Sequence, residues 1–362
     1  MVSLNVEVCG LKFRNPVLPA AGPMVRDGDA LTLAAEGGAG GLVAKTVSVS
    51  PAEVPRPCIA KIKDNLLNAE LWTDLPLERW LKVEYPKAKK TGLPLIASIG
   101  YRADEIREIA PKVEKAGANA LELSTHYLGH DPTPVVEATE AAKEVVSIPI
   151  FIKLSPNVLD IAAFAKAAEK AGADGIVAIN TLGPCLAIDV ETGLPYLGSA
   201  NGYGWLSGPA IKPLAVRCVA DICRAVKIPV IGVGGISSGR DAAEFIMAGA
   251  SAVQICTATI VRGHKVYEII ADEIVKFMKS KGYETIDDFK GIALKHLPER
   301  PIRTTAKAPE VIESKCTACG LCEKYCPYDA VHVIGKLARV DPIKCYGCGL
   351  CVTVCPARAL RI

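Results

Sequence analysis

Eight of the fourteen cysteines in this 362-residue chain fall into two runs, CTACGLCEKYCP at 316–327 and CYGCGLCVTVCP at 345–356. Both read Cys-x2-Cys-x2-Cys-x3-Cys-Pro. Four thiolates at this spacing can cage a 4Fe–4S cube, and in two-cluster proteins the fourth cysteine of each run ligates the other cube. Cys316, Cys319, Cys322 and Cys355 are therefore expected to hold one cube, and Cys345, Cys348, Cys351 and Cys326 the second. Zinc is the competing reading, but its knuckles pair two Cys-x-x-Cys halves and need no third cysteine and no Cys-Pro ending. Clustered cysteines in a chain without an export signal point to metal rather than disulfides. The remaining six are scattered; Cys218 and Cys223 sit in a helical pattern and read as core.

A second crowd of reactive side chains lies in NALELSTHYLGHDP at 119–132. An apolar run there releases Ser124, Thr125, His126 and Tyr127 in succession. His126 titrates near neutral pH and Tyr127 ionises only with help, so both are candidate proton carriers. His130 and Asp131, just before Pro132, read as loop architecture. Two lysines end other apolar runs: Lys45 in LVAKT and Lys153 in FIKLS.

These groups need a frame. Short apolar runs recur near 17–21, 42–46, 95–99, 119–124, 149–154, 175–180, 229–233 and 252–256. Continuous apolar runs suit strands buried on both faces of a parallel sheet. Alanine-rich amphipathic stretches such as DIAAFAKAAEKAG (160–172) separate them. Eight such units predict a (β/α)8 barrel; an open doubly wound sheet also alternates strands and helices but has no reason to stop at eight. In a barrel the chemistry sits at the strand ends, here Ala21, Lys45-Thr46, Ser98, Ser124, Lys153, Asn180-Thr181, Gly234-Gly235 and Cys256-Thr257. Glycines at the seventh strand, with the Ser207-Gly208 turn of LSGPAIKP, predict a phosphate site built from backbone amides.

The expected organisation is a barrel over 1–279, a helical and extended linker over 280–310, and a small α+β two-cluster ferredoxin-like domain over 311–362. The net charge of +3 is too small to argue for nucleic acid or an anionic membrane. No apolar run approaches the ~20 residues that span a bilayer. The start of the chain has no secretory pattern, so a cytoplasmic location is expected. No full Gly-x-Gly-x-x-Gly followed by a distant acidic residue is present, so no dinucleotide domain of its own is expected. Iron–sulfur cubes carry single electrons. A barrel fused to them, with a phosphate site and two lysines, is expected to bind flavin mononucleotide (FMN), which converts hydride chemistry into one-electron steps.

NPVLPAAGPM, LVAKT, LNAEL, FIKLSPN, INT, LSGPAIKP, VGGI and QICTA together resemble the FMN barrel of the dihydroorotate dehydrogenase family. With the tail, the chain is similar to the FMN and iron–sulfur part of dihydropyrimidine dehydrogenases. The resemblance implies that Lys45 and Lys153 contact the flavin. It implies that Ala21, Thr46, Ser98, Ser124, Ser207, Gly208, Gly234, Gly235, Cys256 and Thr257 line its site. Asn68, Asn180 and Thr181 would bind a planar amide-bearing substrate. It further implies a dehydrogenase acting on CH–CH bonds, a separate FAD/NAD(P) flavoprotein or ferredoxin partner, and a homodimer or larger complex. The family pattern after the fourth strand is Leu-Asn-x-Ser-Cys-Pro or its serine version. Here Ser124 stands in place of the asparagine and Tyr127 in place of the cysteine, an atypical proton-donor loop. Two other functions remain open: a non-catalytic electron-transfer subunit, and a tRNA dihydrouridine synthase, against which the near-neutral charge counts.

Overall fold

The computed structural model describes residues 2–100, 102–125, 129–297 and 301–362. The eight apolar runs form eight strands: β1 (Val17–Pro19), β2 (Leu42–Val43), β3 (Leu95–Ile99), β4 (Ala120–Ser124), β5 (Ile150–Leu154), β6 (Gly175–Ala178), β7 (Val230–Val233) and β8 (Ala252–Ile255). They pair in parallel in the order 1-8-7-6-5-4-3-2. The first and last of that series meet where Gly40 N–H donates to the Val17 carbonyl at 2.8 Å. The fold is the (β/α)8 barrel rather than an open sheet.

Alternation along each strand decides what lies inside. Outward residues such as Leu42, Leu95, Leu121, Ile150 and Val253 join the buried faces of the helices in one large cluster. The helix Ile161–Lys170 is typical: Asp160 accepts from Ala163 N–H at its start, and Ile161, Phe164, Ala165 and Ala168 face the sheet. Inward residues Leu18, Val43, Ile96, Ala120, Phe151, Val177, Ile231 and Ala252 form a separate apolar layer. Val8, Leu11 and Phe13 of an N-terminal antiparallel hairpin pack on it. Two residues further along five of these strands, the next inward position is polar: Lys45, Ser98, Glu122, Lys153 and Gln254.

Two features lie outside the eight-run expectation. Excursions after β2 and β6 join in a four-stranded antiparallel sheet, in the order Leu182–Cys185, Gly204–Ser207, Asn65–Asn68, Ile59–Ile62. Both excursions leave the C-terminal ends of barrel strands, so this sheet belongs to the mouth. The second feature concerns the expected linker from 280. The helix Val266–Lys281 stops at Gly282 in the left-handed conformation, and the chain then turns back. Ile286 and Phe289 are buried, Tyr283 stacks on Phe289 at 5.3 Å, and Leu294 packs against the same core. The chain divides into compact units at 1–298 and 299–362.

The smaller unit has two antiparallel pairs, Glu310–Val311 with Leu360–Arg361 and Val331–Ile334 with Leu337–Val340, and two short helices, Leu321–Lys324 and Leu350–Val354. Its buried cluster is small: Val331, Ala338, Leu360, Cys322 and Cys351.

The β1–β2 seam gives a stability test. Asn15 locks it by donating to the Gly38 carbonyl and accepting from Val17 N–H, both at 2.9 Å, and a Cβ on Gly40 would collide with the Asn15 carbonyl. Gly40→Ala is expected to cost about 2 kcal/mol and lower the barrel's melting temperature by roughly 4–8 °C in differential scanning calorimetry.

Candidate active site

The inward polar layer opens upward into a cavity of about 520 Å³. It is lined by Ala21, Lys45, Thr46, Ser124, Lys153, Ser207, Gly208, Gly234, Gly235, Cys256 and Thr257, and by Asn68, Asn180 and Thr181. Fourteen positions singled out from sequence thus converge on one space. Ser98 does not line it: the side chain is fully buried, with its hydroxyl 2.9 Å from that of Thr46, and so stands behind Thr46. His126 and Tyr127 lie outside the described residues. Around them, the Thr125 hydroxyl donates to the Lys153 carbonyl at 2.5 Å. Asp131 accepts from the amide and hydroxyl of Thr133 at 2.9 and 2.6 Å, which begins the next helix and holds the carboxyl below its usual range.

Both lysines are paired with carboxylates that sequence reasoning did not single out. Lys45 Nζ donates to Glu70 at 2.7 Å. Lys153 Nζ lies 3.3 Å from Glu122 and 3.4 Å from the Gln254 amide oxygen, while Gln254 Nε2 donates to Glu122 at 2.6 Å. A charged residue inside an otherwise apolar strand requires such a partner, and Glu122 in ALELS was the available signal. Cys256 is at the cavity wall, its thiol pushed up by burial more than Lys153 and Lys45 pull it down, so it remains a thiol.

Elsewhere the wall is backbone. Gly208, Gly234 and Gly235 have φ of +106°, +127° and +75°, and a Cβ on Gly235 would stand 2.7 Å from the Gly208 carbonyl. A Cβ on Gly22 would stand 2.8 Å from Cys256 Sγ. The Thr257 hydroxyl donates to that of Ser207 at 2.8 Å. Approachable backbone with small hydroxyls suits a phosphate; paired lysines beside amide and hydroxyl groups suit a polar planar ring. The lining residues fit FMN in both respects.

In the C-terminal unit the cysteines gather into two pockets. One is lined by Cys316, Cys319, Cys322 and Cys355, the other by Cys326, Cys345, Cys348 and Cys351. All fourteen cysteines are free of disulfides. The fourth cysteine of each run crosses to the other pocket. Backbone amides of Ala338, Ala330 and Ala359 donate to Cys316, Cys326 and Cys355 at 3.4, 3.4 and 3.3 Å. Among the described residues no three His, Cys, Asp or Glu side chains are close enough to hold a single ion. The donor set of each pocket is four cysteines with no histidine, the all-thiolate set that a 4Fe–4S cube takes.

Residues 3–278 match the family model described as dihydroorotate dehydrogenase, and residues 315–359 match that of a 4Fe–4S dicluster domain. The catalytic subunit of dihydroorotate dehydrogenase B (NAD(+)) from Pyrococcus abyssi is 40% identical over 303 residues, covering 81% of this chain and 99% of the relative. That of Methanosarcina mazei is 41% identical, covering 80% and 95%. That of Bacillus pumilus is 37% identical, covering 81% and 97%. No helix among the described residues is long and apolar enough to cross a membrane.

The glycine wall is testable. Gly235→Ala strains a left-handed backbone and pushes a methyl group at the Gly208 carbonyl. It is expected to weaken FMN binding about tenfold or more in fluorescence titration, with the far-UV circular dichroism unchanged.

Proposed function

The chain belongs to the dihydroorotate dehydrogenase family and is an FMN and iron–sulfur oxidoreductase of that type, and on this premise we propose that its substrate is a neutral cyclic amide of the dihydropyrimidine kind. One observation carries the reading: Glu70 neutralises Lys45 at 2.7 Å within the cavity wall. Dihydroorotate bears a carboxylate, whose burial would be favoured by an unmatched cation. Here the charged side chains described at the wall are Lys45, Glu70 and Lys153, and both lysines have carboxylate partners. The amide-bearing residues add a complementary pattern. Asn68 gives one N–H to the Trp205 carbonyl at 3.0 Å, and Asn180 Oδ1 accepts from Thr181 N–H at 2.9 Å. Among the described residues the Asn68 oxygen and the Asn180 NH2 have no partner, an acceptor and a donor that suit the N–H and C=O of a ring amide.

In the proposed reaction the substrate loses a hydride from one carbon and a proton from its neighbour. FMN, when bound, supplies the hydride acceptor and releases the electron pair as single electrons. Lys45 and Lys153 orient and stabilise the ring's polar edge; Gly208, Gly234, Gly235 and Ser207 hold the phosphate. Asn68, Asn180 and Thr181 hold the substrate amide. His126 and Tyr127 are the proposed proton carriers, replacing the cysteine of the usual loop. Cys316, Cys319, Cys322 and Cys355 would hold one 4Fe–4S cluster and Cys345, Cys348, Cys351 and Cys326 a second, which would supply one-electron transfer. The proposed electron partner is a separate FAD/NAD(P) flavoprotein or a ferredoxin. The chain works as a homodimer or in a larger complex, in the cytoplasm, where free thiols persist.

Two measurements test this. Under anaerobic conditions a neutral dihydropyrimidine should bleach the flavin absorbance. Dihydroorotate should do so at least about tenfold more slowly, and Glu70→Ala should narrow that gap by unmasking Lys45. Equal rates for the two compounds in the natural protein would overturn the substrate assignment. Iron analysis should give about eight atoms per chain. Cys355→Ala should halve that number and leave the electron paramagnetic resonance signal of a single cluster; four atoms in the natural protein would refute the two-cluster reading.

A further inference from the structure

We infer that Glu122 is a positioning residue that sets how much positive charge Lys153 presents to the cavity, and that it thereby tunes the reduction potential of a flavin held there. The inference rests on the reading that FMN occupies the cavity.

Three side chains from three strands meet one layer above the apolar floor. Glu122 comes from β4, Lys153 from the adjacent β5, and Gln254 from β8 on the other side of the barrel. Their exposures are 0, 5 and 1%. Lys153 and Gln254 line the cavity, whereas Glu122 does not and reaches it only through them. The hydrogen-bond inventory is closed on one side and open on the other. Both Glu122 oxygens receive donors: Lys153 at 3.3 Å on one and Gln254 at 2.6 Å on the other, so the carboxyl is called on only as an acceptor. Gln254 must direct its nitrogen to Glu122 and its oxygen to Lys153, which fixes the amide orientation. Lys153 has three donors. Two go to Glu122 and Gln254, and among the described residues the third has no partner, leaving it for whatever fills the cavity.

This arrangement does two things at once. Gln254, spanning the barrel, holds the ammonium on a fixed bearing. Glu122 offsets its charge from behind. A bare buried ammonium favours the anionic reduced ring strongly; one backed by a carboxylate at 3.3 Å favours it less. A residue that merely filled the barrel interior would influence stability and FMN retention, but not the sign of a shift in potential.

The test is the midpoint potential of the bound FMN, measured by anaerobic dye equilibration on the full-length holoprotein. Glu122→Gln keeps the shape and an accepting oxygen but removes the charge. It is expected to raise the ratio of oxidised to reduced FMN dissociation constants by about tenfold, which is a shift of about 30 mV to positive potential for a two-electron couple. Lys153→Met is expected to shift it the opposite way. Opposed shifts support the inference; unchanged potentials, or shifts of one sign in both variants, overturn it. Should Glu122→Gln fail to fold, Glu122→Asp retracts the charge by one methylene and is expected to give a smaller positive shift, its absence again overturning the inference. A natural protein that binds no FMN would sink the functional reading, and this inference with it. One that binds FMN with a potential indifferent to position 122 would sink this inference alone.

Discussion

A parallel strand closed into a barrel must send every second side chain into a confined interior, and the rest of this structure follows from that constraint. The first inward layer is apolar and packed against the N-terminal hairpin. The next is where Lys45, Ser98, Glu122, Lys153 and Gln254 arrive, because each stands two residues beyond a floor residue. Charge placed there has little water to dissolve in and must be matched within the protein or by a ligand. Glu70 and Glu122 do the first; the remaining donors await the second. The active site is thus a continuation of the core in which the filling has changed from hydrocarbon to paired charge.

Much of this was legible in the sequence. The eight runs stand out because strands covered by helices on one face and by the barrel interior on the other need not alternate in polarity. The strand-end residues could be read off once the runs were set, and the cysteine spacing specified which thiols share a pocket. What stayed hidden depended on contacts between distant segments. Asn65–Asn68 pairs with Gly204–Ser207 across more than a hundred residues, and nothing local in either segment names its partner. Ser98 was read as wall because its position along the strand is right; its hydroxyl is taken by Thr46 instead. The turn at 283–294 looked like linker because its helices are short and irregular. It belongs to the barrel because Ile286 and Phe289 have core to fill. Glu122 was visible as a lone charge, but its partners required the register of three strands.

The small unit obeys a different economy. Its buried cluster is a handful of side chains, two of them cysteines expected to be ligands. A unit of this size draws much of its stability from bound metal. The crossing of Cys326 and Cys355 between pockets ties the two cysteine runs to each other.

The antiparallel sheet at the mouth has a consequence for how such a site changes over time. Its register sets Trp205 opposite Asn68 and Ser207 opposite Leu66, so two separate segments of the cavity wall are laced together by backbone hydrogen bonds. Backbone lacing is indifferent to side-chain identity. A substitution at 68 would remove the side-chain bond from Asn68 to the Trp205 carbonyl but leave the backbone ladder between the two strands in place. The mouth is thus a backbone frame on which the side chains facing the cavity can change while the frame itself stays paired.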